Sequence, residues 1–145
     1  MLQTLVLPAL KCLVAAIVMT VVTLAMPAQA DRFDALRADT EIENGVLVAA
    51  IGDIIRDTCP EIGQRRGRTL LALNGLLSRA RSLGYSTSEI QAYVDGDAEK
   101  ARVKAKARQW LGQQGARESD PASICALARS EIAKGSTIGR LMKVR

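Results

Sequence analysis

Among the side chains able to do chemistry, histidine is absent from all 145 residues. That removes imidazole acid–base catalysis, His-dependent triads, the usual zinc sites and c-type haem attachment. Asp53 and Asp57 share one helix side at i,i+4, a spacing open to a carboxylate pair. An ordinary solvated acidic face has the same spacing. Asp95-Gly96-Asp97 with Glu99 offers oxygens to calcium. It lacks the alternating acids and distant Glu of an EF-hand loop, so a turn followed by a helix cap is expected. No Gly-rich phosphate loop is present, and no motif singles out a Ser–Lys nucleophile. The expectation is a protein that is not an enzyme, with no catalytic residue, cofactor or metal assigned.

Cysteine chemistry depends on compartment, which the first 30 residues address. Lys11 is their one charged side chain, Leu13 to Ala25 is almost wholly apolar, and Ala28-Gln29-Ala30 follows Pro27. A weak positive start, an apolar core and a small-x-small box form an export signal cleaved after Ala30. Leu2 to Leu10 is apolar as well, which leaves a retained anchor as the alternative. Cys59 and Cys125 lie beyond this segment. An even, low count in an exported protein predicts one disulfide, and the wide spacing without C-x-x-C argues against a redox-active pair. Closing so long a loop stabilises the fold by about 4 kcal/mol in a chain-entropy account.

The elements that would position these residues read as helices. From Thr40 to Cys59, Ile42, Leu47, Ile51, Ile54, Ile55 and Cys59 recur at three- and four-residue steps. Thr40 with Glu43 reads as a capping box, and Pro60 stops the helix. Gly63 to Leu83 carries a broad apolar stripe, Leu70, Leu71, Leu73, Leu76, Leu77, Ala80 and Leu83, with Gly84 as its stop. Ser86 and Glu89 form a second capping box ahead of Ile90, Tyr93 and Val94. Asp97 is expected to cap a basic helix to Gln114, whose apolar stripe is Val103, Ala107, Trp110 and Leu111. Asp120-Pro121 opens the next helix, which places Cys125 in its first turns and Gly135 at its end. Ser136 and Thr137 cap a short, basic, amphipathic tail. No strand pattern or internal repeat is evident. The predicted fold is therefore all-α: a compact bundle of four to five helices with one disulfide, residues 31–145, preceded by a signal peptide, residues 1–30.

Charge is unevenly spread. Asp31 to Glu61 holds eight acids against three arginines, whereas the remainder holds 16 basic residues against seven acids. Lys100, Lys104 and Arg108 share one helix side, and Arg140, Lys143 and Arg145 sit in the tail. These six are the candidate partner-binding residues, for an acidic protein surface or anionic lipid head groups. Helix faces kept soluble by charge would look the same. Ile138, Leu141 and Met142 are candidate apolar anchors, with packing on the protein's own core the competing role for Ile138. Nucleic acid is not expected as a partner, given export and an aromatic content of 3% that is too low for a stacking platform.

The run GYSTSEIQAYVDG (Gly84–Gly96), the Cys59 and Cys125 pair and the ending EIAKGSTIGRLMKVR (Glu131–Arg145) resemble a family of small exported bacterial proteins. That family is catalogued as a domain of unknown function, and the resemblance covers most of Cys59 to Arg145. It implies a periplasmic accessory subunit of a respiratory membrane complex, NADH:quinone oxidoreductase (complex I), with no catalytic residues to carry over. The tail departs from the family pattern at Met142 and in Lys143-Val144-Arg145, where a shorter Leu-Leu-Arg-like end is expected. A free periplasmic module that binds or inhibits through an anionic ligand or acidic protein is the alternative.

Overall fold

The computed structural model describes residues 31–145. The export signal expected over residues 1–30 lies outside them. The chain runs α1 (Asp34–Ala38), α2 (Thr40–Thr58), β1 (Ile62–Gln64), α3 (Arg66–Ser82), α4 (Thr87–Asp95), α5 (Asp97–Gln113), α6 (Pro121–Lys134), α7 (Thr137–Leu141) and β2 (Met142–Val144). Among the described residues seven helices stand where four to five were expected, because α1 and α7 are single turns of five residues each. The fold is all-α apart from one small ladder. β1 and β2 pair antiparallel, with Ile62 opposite Val144 and Gln64 opposite Met142.

Every other layer leans on α2, which touches α1, α3, α5, α6, α7 and β1. Its apolar face feeds two cores. Ile51, Ile54, Ile55 and Cys59 pack with Ala107 and Leu111 of α5, Ile124 and Ala128 of α6, and Ile138 and Met142. Ile42 joins Leu36, Ala80, Ile90 and Tyr93 in the smaller one. Phe33 closes that cluster with its ring edge on Tyr93, the centroids 5.4 Å apart. The predicted disulfide is present: Cys59 and Cys125 have Cα atoms 5.6 Å apart and tie the end of α2 to the start of α6.

Several helix ends follow their sequence signals. Ser86 and Glu89 form the capping box of α4, and Asp120 with Pro121 opens α6. Gly135 ends α6 at φ +63°, a left-handed turn that a side chain resists. Four residues on, Gly139 lies so close to α6 that a Cβ there would overlap the Glu131 carbonyl. Two caps differ from expectation. Asp39, not Thr40, caps α2 by accepting the Ile42 amide at 3.0 Å. Gly96 caps α5, which leaves Asp97 inside the first turn.

α3 departs most from its sequence pattern. Only Ala80 of its expected core stripe is buried, while Leu76, Leu77 and Leu83 are half-buried. Leu70, Leu71 and Leu73 remain 60%, 73% and 45% exposed. α2 and α3 meet at Gly45, where a Cβ would overlap the Leu76 methyls. Toward the start of α3 a groove separates them, so Leu73 faces open space and Leu70 and Leu71 face outward.

Candidate docking surface

The β1–β2 ladder decides what surrounds the exposed leucines. It draws the segment before α3 against the last residues of the chain. The Arg65 amide donates to the Leu141 carbonyl at 2.7 Å, and its Nε donates to the Met142 carbonyl at 2.8 Å. The Arg145 amide donates to the Glu61 carbonyl at 2.8 Å. Arg68 reaches the Arg140 carbonyl at 3.4 Å. Arg56, Arg65, Arg66, Arg68, Lys143 and Arg145 consequently line one depression of about 860 Å³ that no Asp or Glu side chain lines. Arg56 is paired with Asp53 at 2.7 Å; the other five make no ion pair among the described residues. Six cations gathered this way raise the local potential and draw in anionic partners.

The expected partner-binding residues divide between two places. Lys143 and Arg145 line the depression, and Arg140 is exposed nearby on α7. Lys100, Lys104 and Arg108 are exposed on α5 and do not line it. Lys100 lies 3.8 Å from Asp95, and Arg108 pairs with Glu118 at 2.7 Å. Of the candidate tail anchors, Ile138 and Met142 are buried in the main core, which takes Met142 out of that role, and Leu141 is half-buried. Arg65, Arg66 and Arg68 received no role in the sequence-based assignment. Their clustering just ahead of the exposed leucines is the signal that could have found them.

A second charged group is structural. The Arg102 guanidinium on α5 grips Glu43 of α2 in a two-pronged pair, both contacts 2.7 Å, and also pairs with Glu99. Arg37 of α1 donates to the other Glu99 oxygen at 3.0 Å, and Lys106 joins Glu43. Hydrogen bonds from Arg102, then Lys106, overcome partial burial and hold Glu43 down at about 2. Burial pushes Glu99 up, but bonds from Arg102, Arg37 and Tyr93 outweigh it and leave its carboxyl below the ordinary range. Burial, then the Glu99 carboxylate, lifts the Tyr93 phenol to about 12. No buried side-chain nitrogen or oxygen among the described residues lacks a partner. The network pins α1, α2 and α5 together and presents no unengaged acid or base.

The remaining chemical candidates resolve simply. Asp53 and Asp57 are exposed on α2, with Asp53 engaged by Arg56. Asp95, Gly96 and Asp97 form the α4–α5 junction, while Glu99 belongs to the buried network. Glu61 lies beside Cys59 and Cys125, but their sulfurs are bonded to each other and offer no thiolate to a metal.

Fold and surface together define a small, disulfide-stapled helical domain with an uncovered leucine face beside a cationic depression. No helix among the described residues is long and apolar enough to cross a membrane. Residues 34–143 match the model of a family described as a family of unknown function, DUF5333, and the chain belongs to it. No curated protein and no solved structure matches the chain.

Proposed function

We propose that the protein is a non-catalytic accessory subunit that docks on a membrane-protein complex, most directly respiratory complex I, on the exported side of the membrane. The uncovered leucine face of α3 carries this proposal. A monomeric domain has no stability reason to leave three leucines on one helix in water, and grouped exposed apolar residues mark contact surfaces. Burying each leucine against a partner contributes about 1.5–3 kcal/mol, and the cations beside them speed encounter with an acidic surface. Complex I enters through the sequence resemblance alone. The cystine supports export, since such bonds persist in oxidising compartments.

Gentle detergent extraction followed by size separation tests the proposal. The protein should comigrate with a large membrane complex containing NADH:quinone oxidoreductase activity. Leu70→Ser with Leu71→Ser should release it as a small free species while leaving its thermal unfolding unchanged. Charge reversal to Glu at Lys100, Lys104 and Arg108 should weaken association at low salt only if the α5 face takes part. A wild-type protein that migrates alone under these conditions overturns the subunit role.

A further inference from the structure

We propose that the groove between α2, α3 and the C-terminal tail binds the acyl chain of an anionic amphiphile, with its head group held at the arginine end. This does not depend on the docking proposal, because of its three exposed leucines only Leu73 lines the groove, and Leu70 and Leu71 do not. The groove encloses about 670 Å³ between Val48 and Gly52 on α2, Leu73 and Leu76 on α3, and Leu141 and Met142 at the tail. One end is shut where Leu76 closes on Gly45. At the other end Arg56, Gly63 and Gln64 line both the groove and the cationic depression, so the two are continuous.

Dimensions choose the occupant. From Gly45 to Arg56 the α2 axis advances about 16 Å at 1.5 Å per residue. The groove's 670 Å³ lies within the range of about 300–1,000 Å³ typical of small-ligand sites. An apolar slot of that length suits an extended alkyl chain. Charge chooses the head group, because the depression at the open end has six cationic side chains and no Asp or Glu side chain in its lining. Of the groove's two acids, Glu41 lies by the closed end, near Gly45, and Asp53 lies toward the open end, where Arg56 pairs with it at 2.7 Å.

Two helix-interior glycines show that the space is not incidental. Glycine weakens a helix interior relative to alanine, so a packing reason is usual. Gly52 has none: a Cβ there would meet only the Met142 methyl, at an ordinary 3.4 Å. Across the groove, a Cβ on Gly75 would meet nothing within 4 Å. Both line the groove, and a larger residue at either position would occupy it.

Titration calorimetry of the protein isolated from its cells tests this, with octanoate, decanoate and dodecanoate as probes below their micelle thresholds. Affinity should rise about fourfold per added methylene, or roughly fifteenfold from octanoate to decanoate. Gly52→Leu should weaken dodecanoate at least about fifteenfold, the equivalent of losing two methylenes, while thermal stability is kept or raised. Gly75→Leu should do the same from the opposite wall, so the result does not hang on one variant folding. Arg68→Gln with Lys143→Gln should weaken binding several-fold and flatten its salt dependence, and uncharged dodecyl maltoside should bind more weakly than dodecanoate. Leu70→Ser with Leu71→Ser should leave dodecanoate affinity unchanged. Affinity that ignores chain length, or that survives both groove-filling variants, overturns the proposal. So does binding to phosphatidylglycerol vesicles with none to the monomeric carboxylates, which would make the cations a membrane-surface contact.

Discussion

Replacing Glu43 with Gln keeps the size of the side chain and removes its charge from between Arg102 and Lys106. The structure fixes the expected cost. The Glu43 carboxyl is held at about 2 instead of 4.5, and each unit is worth about 1.4 kcal/mol, which bounds its contribution near 3 kcal/mol. Arg102 and Lys106 keep part of their surface in water, and screening there brings the expectation to about 2 kcal/mol at neutral pH. For a chain of this size that is a fall in Tm of about 8 °C. The sign with pH follows from the depressed value. Glu43 stabilises fully above its ordinary 4.5, and that contribution is lost as pH falls through about 2. Thermal unfolding followed by circular dichroism should therefore show a wide gap between wild type and Glu43→Gln at neutral pH that narrows steadily in acid. A gap below about 1 kcal/mol at pH 7, the level of an exposed pair, refutes the reasoning. So does a gap that stays constant down to pH 2.

Three further outcomes follow from the same geometry. Cys125→Ser should lower stability by about 4 kcal/mol, the chain-entropy value for the 66-residue separation of the two cysteines, and non-reducing peptide mapping should find one cross-linked pair in the wild type. Gly139→Ala should destabilise by about 3 kcal/mol or more in urea unfolding, because the new methyl meets the Glu131 backbone, which cannot step aside. Intact-mass measurement of the protein from its cells should give a chain beginning at Asp31, and a mass that includes Met1 would favour the retained anchor.

Local signals were read well from sequence because their causes are local. Ser86 with Glu89, Asp120-Pro121 and Gly135 act on neighbouring amides and carbonyls, and each ends or begins a helix where its chemistry requires. The cysteine pair was legible from count and compartment. At the start of α2 the same logic misled, since Asp39 competes with Thr40 for the cap and wins, freeing Glu43 for Arg102. The α3 stripe looked like core because periodicity records which residues share a face, not whether anything covers it. The ladder was invisible for another reason. Ile62–Gln64 and Met142–Val144 are three residues each, too short for alternation, and their pairing is set by the fold around them. The cationic depression inherits that blindness, since the ladder assembles it from both ends of the segment between them.

That ladder also makes the surface a report on whether the tail has docked. A ribosome makes Met142, Lys143 and Val144 after every helix they will lie against. The cystine can close once Cys125 is available, but Ile62 has no strand partner until Val144 has been made. A molecule clipped before Met142 would retain its helices and its cross-link while losing one wall of the groove and two of the six cations. Such a fragment would pass a test of helicity and fail a test of recognition, so a partner that reads this surface selects molecules whose β1–β2 ladder has formed.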